Sequence, residues 1–320
     1  MTEESATTVE RIATRDAYGE ALAELGETHR DIVVLDADLS KSTRTARFAD
    51  RFPERFFDMG IAEANMIGVA AGMARGGKVP FASTFSIFAS GRAWEQVRNT
   101  VCYSGLNVKI CATHGGISVG ADGSSHQCIE DFATMSAIPT MTVICPCDGP
   151  ETSRAVRTVA ETDGPCYMRL GRAKMPVVTG PDTPFEIGKG IVLREGKDVA
   201  IFACGALVAG ALDAADQLAD QDVEAAVIDL HTIKPLDRDL IAEWTERTGA
   251  VVTAEEHVLQ GGLGSAVATC VGRRCPAPVE CVAIDNQFGQ SGQPDELFEH
   301  YGLTAEDVAE AARRAVQRRG

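Results

Sequence analysis

"DMGIAEANMIGVAAGMA", residues 58–74, has the pattern of a short strand that ends in a turn and leads into an apolar helix. The helix is built from Ala, Gly, Met, Ile and Val and carries one carboxylate, Glu63, near its start. Positions 64–74 offer almost no polar face, so we expect the helix to be buried on all sides. This strand–helix unit is one step of an alternation that runs through the whole chain.

Short β-branched runs alternate with helical patterns in two series, which predicts an α/β fold with mostly parallel sheets and helices on both faces. The stretch 173–186 has four prolines or glycines within 176–184 and no clear periodicity, so we predict a linker and two domains, 1–180 and 181–320. In the first domain we predict strands at 31–38, 107–113 and 141–146, and helices at 13–25, 62–75, 85–104 and 149–161. In the second we predict strands at 198–205, 223–230, 250–256 and 279–284, and helices at 206–220, 237–248, from about 263, and 304–318.

The charge of the chain excludes some classes of partner. A formal net charge of −16 over 320 residues argues against binding to nucleic acid or to an anionic membrane surface. The sequence has no apolar window of about 18 residues and no signal-peptide core, so we expect a cytoplasmic protein. The ten cysteines are scattered through apolar runs and are expected to be buried, reduced thiols.

Glu63 allows two interpretations. Acids favour the first turn of a helix because of its dipole and its free N–H groups, a stabilisation of under about 1 kcal/mol. Alternatively, an unpaired carboxylate at the start of a buried helix would be desolvated, which raises its pKa. Such a group is suited to exchanging a proton with a ligand base.

Two further stretches contain candidate site residues. Phe85 and Phe88, three residues apart in "PFASTFSIF", either pack in the core or present a flat wall to a planar heterocycle. "THGGISVGADGSSHQCIED", residues 113–131, is too rich in glycine for a helix and presents His114, Asp122 and His126 on a shaped loop. Because no further ligand stands at metal spacing from the two histidines, we expect no metal site in this chain.

Together with "VIDLHTIKPLD", "VVTAEEHVLQGGLGSAVA" and "FGQSGQPDELFEHYGL" downstream, these motifs resemble the transketolases from about residue 10 to residue 318. The second-domain motifs are shared with deoxyxylulose-phosphate synthase and the beta subunits of 2-oxoacid dehydrogenases. The loop at residues 113–131, called the histidine loop below, is most similar to transketolase itself. The resemblance implies a pyrimidine-binding domain of the thiamine-diphosphate type followed by a transketolase C-terminal domain.

The resemblance also implies roles for individual residues. Glu63 would bond to a ring nitrogen of the thiamine aminopyrimidine and favour the imino tautomer that removes the thiazolium C2 proton. Phe85 and Phe88 would stack on the pyrimidine, although the third aromatic of the family is Gly91 here. The other residues that the resemblance assigns are Asp38 and Ile61 for the cofactor, and Ser42, His114, Asp122, His126 and Arg172 for the substrate.

In this assignment His114 and His126 are catalytic together with Glu63, and the forked donors of Arg172 suit a phosphate. The loop departs from the family pattern at Ala121, which replaces an acid, and at Ser124 and Ser125, which replace Pro and Thr. These departures leave open which sugars the site accepts.

The family's diphosphate site, a Gly-Asp-Gly motif with a downstream Asn, has no counterpart in the sequence, and no cluster of oxygen ligands for Mg²⁺ is apparent. We therefore expect a separate N-terminal transketolase subunit to carry that motif and the Mg²⁺ or Ca²⁺ ion. The resemblance implies an α2β2 assembly, in which this chain pairs with a second copy through both of its domains.

The resemblance thus implies the C-terminal subunit of a transketolase that moves a two-carbon ketol unit from a ketose phosphate to an aldose acceptor. Two alternatives stay open: a thiamine-dependent synthase or 2-oxoacid decarboxylase component, and a regulatory homologue without catalysis. For "EEHVLQGGLGSA", residues 255–266, the pattern suits either an anion site or a tight turn at a subunit interface. We assign the second domain no catalytic role.

Overall fold

The two predicted series of strands form two separate sheets in the computed structural model, which describes residues 10–319. The strands are β1 (Arg11–Ala13), β2 (Ile32–Asp36), β3 (Phe56–Asp58), β4 (Val79–Phe85), β5 (Lys109–Thr113), β6 (Thr142–Ile144), β7 (Cys166–Arg169), β8 (Lys174–Pro176), β9 (Ile191–Arg194), β10 (Val199–Ala203), β11 (Ala225–Asp229), β12 (Thr232–Lys234), β13 (Val251–Val258) and β14 (Val279–Ile284).

The helices alternate with these strands. They are α1 (Thr14–Thr28), α2 (Ser40–Thr43), α3 (Ala46–Arg51), α4 (Glu63–Arg75), α5 (Trp94–Gln96), α6 (Asp131–Ser136), α7 (Gly149–Glu161), α8 (Leu207–Ala219), α9 (Arg238–Thr248), α10 (Leu263–Arg274), α11 (Pro294–His300) and α12 (Ala305–Gln317). Short 3₁₀ turns lie at Pro53–Arg55 and Ile117–Val119, and π-helical turns flank α5 at Phe88–Arg92 and Val97–Cys102.

Within residues 10–319 the larger sheet has the order β12-β6-β7-β5-β4-β2-β3, and the smaller has the order β14-β13-β10-β11-β9. All neighbours are parallel except β12 against β6 and β9 against β11. Every residue of β2, β5, β10 and β11 is buried, as expected for parallel strands covered on both faces. The predicted α/β class is confirmed.

Alternate residues of the larger sheet pack into two different cores, because successive side chains of a strand point to opposite faces. Val34 and Phe81 pack on one face with residues of α1 and α7. Val33 and Ala82 pack on the other face with residues of α4. The α4 helix is thereby fixed against the sheet near the carboxyl ends of β4 and β5, where the candidate site lies.

The second domain is joined to the first through both backbone and core. Its strand β12 adds to the edge of the larger sheet beside β6. Its buried side chains Phe202 and Trp244 belong to the same hydrophobic cluster as Val143 and Tyr167 of the first domain. The predicted boundary near residue 180 stays a prediction.

Three expectations about elements were wrong in part. The stretch predicted as a linker contains β8, which pairs with β1 in the register Ile12 to Met175. The helix predicted from residue 85 begins at Ser86, because β4 continues through Phe85, and it includes π-helical turns at Phe88–Arg92 and Val97–Cys102. The α4 helix is not buried on all sides: Asn65 and Gly72 are exposed, and the residues between them are buried only on the sheet side.

All ten cysteines are free thiols, eight of them buried and two partly buried. Among the described residues, no helix is both long enough and apolar enough to span a bilayer.

Candidate active site

Glu63 is the first residue of α4, after a turn in which Gly60 adopts φ +66°. Its side chain is only 5% exposed, yet it has a partner: Arg92 Nη1 lies 3.1 Å from Glu63 Oε1. The expectation of an unpaired carboxylate is therefore wrong for this chain. The Arg92 guanidinium also lies over an aromatic ring, with its central carbon 4.1 Å from the centre of Phe88.

Phe85 and Phe88 form one stacked pair, with ring centroids 5.8 Å apart and planes inclined by 17°. Phe85 ends β4 and Phe88 begins the π-helical turn that follows, so the pair lies where the strand passes into a helix. Both predicted histidines lie against this pair. The His114 ring stacks on Phe85 at 3.8 Å, and the His126 ring meets Phe85 edge-on at 6.2 Å and Phe88 at 5.9 Å.

His114 follows the last residue of β5 and adopts a left-handed backbone conformation, φ +59°. Its Nδ1 lies 2.8 Å from Thr113 Oγ1, and its Nε2 lies 3.3 Å from Arg15 Nη1. Because Arg15 has only donors, Nε2 accepts and Nδ1 carries the ring proton. Burial, and then the nearby Arg15, lower the pKa of His114 to about 3. The ring is therefore neutral at physiological pH.

Arg15 is a site residue that sequence reasoning missed. It lies in the first turn of α1, where nothing in the local sequence distinguishes it from a surface arginine. In the structure Arg15 Nη1 also donates to the Ser42 carbonyl at 3.1 Å. Burial, and then the nearby Arg44, lower the pKa of Arg15, and Arg172 and Asp122 also lie close enough to affect it. Three arginines thus converge beside His114 in a chain of net charge −16.

Arg172 and Asp122 lie at the open side of this cluster, with Arg172 Nη1 3.9 Å from Asp122 Oδ1. Arg172 Nη1 also donates to the Val119 carbonyl at 2.5 Å, which ties the arginine to the histidine loop. The structure therefore brings together the predicted residues Phe85, Phe88, His114, Asp122, His126 and Arg172, with Ser42 joined to them through Arg15.

Asp38 and Ile61 are not part of this cluster of contacting side chains. Ile61 is 76% exposed, and Asp38 is exposed with φ +61°. The turn after β2 that carries Asp38 is fixed by buried Asp36, a residue that sequence reasoning did not select. The Asp36 carboxylate accepts from Thr43 Oγ1 at 2.6 Å, from Thr45 Oγ1 at 2.8 Å and from Leu39 N at 2.6 Å.

A second group of potential ligands lies away from this site. Cys147, Glu151 and Asp229 are buried and place one ligand atom each within 4.8 Å of the others. They come from both domains, which is why sequence spacing did not reveal them. Burial raises the pKa of both carboxyl groups, and the neighbouring Glu151 raises the pKa of Asp229 further. Two neighbouring buried carboxyl groups disfavour the doubly ionised state, so protonation of at least one of them stabilises this contact.

Two protein-family models match the chain. The transketolase pyrimidine-binding domain matches residues 10–177, and the transketolase C-terminal domain matches residues 188–308.

Individual known proteins of the same family are similar to this chain over most of its length. A transketolase C-terminal section of Methanocaldococcus jannaschii is 49% identical over 92% of this chain and 93% of its own length. A 6-deoxy-6-sulfo-D-fructose transketolase subunit of a Clostridium species is 43% identical over 95% of both proteins. A solved split-gene transketolase, in an inactive β4 tetramer, superposes with a TM-score of 0.91 and is 54% identical, covering 97% of this chain and all of that one.

Proposed function

Because this chain belongs to the transketolase family, as its pyrimidine-binding and C-terminal domains together, we propose that it is the C-terminal subunit of a thiamine-diphosphate-dependent transketolase. The proposed reaction moves a two-carbon ketol unit from a ketose phosphate to an aldose or aldose phosphate. It requires a separate N-terminal chain that carries the Gly-Asp-Gly…Asn motif, the diphosphate site and the Mg²⁺ or Ca²⁺ ion.

The observation that supports this proposal most strongly is one continuous row of side chains. It runs from Glu63 through Arg92 and Phe88 to Phe85, and then to His114 with Arg15 behind it. One end of the row offers a buried carboxylate beside a flat aromatic surface. The other end offers a neutral imidazole and several cations. A flat base and an anionic sugar would therefore lie next to each other along this row.

The Glu63 end fits the aminopyrimidine of thiamine diphosphate. In the free chain the Arg92 guanidinium, a planar group with N–H donors, lies over the Phe88 ring and donates a hydrogen bond to Glu63. A planar heterocycle with an N–H donor needs the same two contacts, since aromatic faces favour stacking and carboxylates accept strong hydrogen bonds. Arg92 is half-exposed and can move aside, whereas Glu63 is fixed at the start of α4.

Thiamine diphosphate, when bound, supplies the carbanion chemistry that breaks and forms the bond between sugar carbons. This chain's own residues orient the cofactor and the sugar and hold a proton at the cofactor ring. In the proposal Glu63 holds a proton at the pyrimidine ring nitrogen, and Phe85 and Phe88 fix the plane of that ring. Ile61 and Asp38 are cofactor contacts at the open rim. His114 and His126 bracket the sugar, and His114 presents its imidazole in the neutral form.

The anionic end of the substrate is assigned to Arg15 and Arg172, with Ser42 beside them and Asp122 accepting a sugar hydroxyl. Forked guanidinium donors bind phosphate in a bidentate way. The Clostridium relative is named for a sulfonated ketose, and a sulfonate is likewise an anion with several acceptor oxygens. The family match thus supports a ketose with an anionic terminus as the class of donor.

A second copy of the chain is assigned to the uncovered face of α4. Gly68 and Gly72 lie on that face, and a side chain placed at either would meet open space. Ile61 at the start of the helix is largely exposed as well. The similar split-gene protein forms a β4 tetramer that is inactive, which supports both self-association and the need for another chain.

The variant Glu63→Gln tests the proposed role of the carboxylate, in the assembly reconstituted with the N-terminal chain, thiamine diphosphate and Mg²⁺. We expect cofactor binding to persist with a higher Kd, and kcat for ketose cleavage to fall by about a hundredfold to ten-thousandfold, because proton transfer loses its positioned acid. The same assay with pyruvate separates the reactions. Pyruvate decarboxylation without ketose cleavage would refute the transketolase assignment in favour of an oxoacid decarboxylase.

A further inference from the structure

The histidine loop, residues 113–131, rests against the second domain, to which the sequence analysis gave no catalytic role. Near its middle, the backbone N–H of Ser118 donates to Glu256 Oε1 at 2.5 Å. Glu256 lies in β13 of the second domain and is 6% exposed. Gly116 packs so closely on this carboxylate that an added Cβ would lie 2.1 Å from its carboxyl carbon.

Arg169 joins the C-terminal end of the loop to the same strand. Its Nη1 donates to the Glu256 carbonyl at 2.8 Å, and its Nη2 donates to the Cys128 carbonyl at 2.6 Å. Arg169 Nη2 also lies 3.2 Å from Asp131 Oδ1, and all of these groups are buried. The Val258 N–H donates to the Ile129 carbonyl at 2.9 Å. The end of the loop is thus bonded to β13 by side chain and by backbone.

The far side of the loop is held by the segment before α11. Gln127 Nε2 donates to the Gln290 carbonyl at 2.8 Å and to the carbonyls of Ile117 and Gly120 at 3.1 and 3.3 Å. Residues of the second domain therefore contact the loop on two sides of the span from His114 to His126.

We propose that Glu256 is a positioning residue of the transketolase reaction, which fixes the histidine loop by holding the Ser118 amide. This inference rests on the proposed function. A buried carboxylate that accepts a backbone N–H forms a strong, directional bond. Holding the loop at Ser118 keeps His114 stacked on Phe85, at the junction between the proposed cofactor and sugar contacts.

Glu255 provides a matched control. It is the adjacent residue of β13 and is also buried, but its carboxylate accepts the N–H groups of Leu263 and Gly264, at 2.6 and 2.7 Å, inside the second domain. Loss of Glu255 therefore weakens the second domain without removing a bond to the histidine loop.

The first experiment uses the free chain and needs neither partner nor activity. In Glu256→Ala we expect amide hydrogen exchange at 115–119 to accelerate by about tenfold or more, because a buried N–H loses its acceptor. In Glu255→Ala we expect acceleration at 263–266 and not in the loop. Unchanged loop exchange in Glu256→Ala, or the same acceleration in both variants, would overturn the inference.

The second experiment uses the reconstituted assembly. We expect Glu256→Ala to lower kcat/KM for the ketose donor by about ten- to hundredfold, since small displacements of positioned groups have effects of that size. The Kd for thiamine diphosphate should not change, and Glu256→Gln, which keeps an acceptor oxygen, should recover most of the rate. An unchanged kcat/KM, or an equal loss in Glu255→Ala, would contradict the role. An inactive wild-type assembly would instead refute the proposed function, and the exchange data distinguish the two failures.

Discussion

The pairing of Glu63 with Arg92 was not predictable from the sequence. The acid itself stands out, because it is a charged residue at the start of an apolar helix. Its partner lies 29 positions away, in a π-helical turn whose extra residue redirects the side chains that follow. Local patterns identify a buried charge, but the residue that neutralises it depends on tertiary geometry. Arg15 escaped prediction for the same reason.

Arg92→Met should destabilise the free chain. Glu63 is almost fully buried and would lose its charged donor, but the arginine is half-exposed, so we expect the free energy of unfolding to fall by about 1 kcal/mol. Urea unfolding of the free chain measures the change. Arg98→Met is the control, because Arg98 is exposed in the same helical stretch and bonds to its neighbour Asn99. Equal losses in the two variants would contradict the pairing.

His231 should make stability depend on pH. Burial, and then Arg154, lower the pKa of His231 to about 4, and its ring stacks on Phe185 at 4.2 Å. Below the ordinary pKa of histidine, about 6.5, His231 binds a proton in the unfolded chain but not in the folded chain. The free energy of unfolding therefore falls as the pH falls from about 6.5 toward 4.

Comparison with His231→Gln isolates that contribution, because other buried acids titrate in both proteins. Between pH 7.5 and pH 5 we expect the stability of the wild type to fall, relative to the variant, by about 2 kcal/mol. Urea unfolding at the two pH values provides the measurement, with His300→Gln as an exposed control. A difference between wild type and His231→Gln that does not vary with pH would contradict the expectation.

At the scale of elements, strongly patterned segments were predicted closely and short ones were not. The predicted bounds of α7 and β14 agree with the structure, because a helix capped by Asp148 with a proline in its first turn and a β-branched run are clear local signals. Strands β8 and β12 have three residues each, and their pairing partners lie far away in sequence. For such strands no local pattern exists, and tertiary pairing alone decides their structure.

The α4 helix shows a different limit. Its apolar composition predicted burial on every side, but one side has no cover within residues 10–319. A hydrophobic pattern specifies that a surface is to be covered and does not specify which polypeptide covers it. Our proposal assigns the cover to a second copy.

Gly68→Arg tests this assignment. The new side chain would enter open space in the free chain, so folding should be retained, but at a contact between copies it would place an unpaired charge in an apolar surface. We expect self-association to weaken by about a hundredfold or more, as measured by sedimentation equilibrium. Gly272→Arg is the matched control, since Gly272 also lies in a helix with open space beside it. Unaltered association of Gly68→Arg would exclude this face as the contact.

At the scale of the whole molecule, the order of strands and helices was sufficient to predict two α/β units. That the two units share a sheet and a hydrophobic core was not predictable. Strand β12 crosses to the first sheet, and one hydrophobic cluster contains side chains of both units. One contact of the second domain with the histidine loop is made by Glu256, which in the sequence resembles any acid at the end of a strand. Its contact with the loop is apparent only in the folded structure.

We propose that this chain contributes the pyrimidine and sugar contacts of a site that a second polypeptide completes. The most direct test of this proposal is to measure two-carbon transfer from a ketose phosphate in the presence of thiamine diphosphate and Mg²⁺, first with this chain alone and then with the chain that carries the Gly-Asp-Gly…Asn motif. We expect no turnover by the chain alone and turnover that rises to a plateau at equal amounts of the two chains. Turnover by this chain alone, at a rate that the second chain does not change, would contradict the proposal.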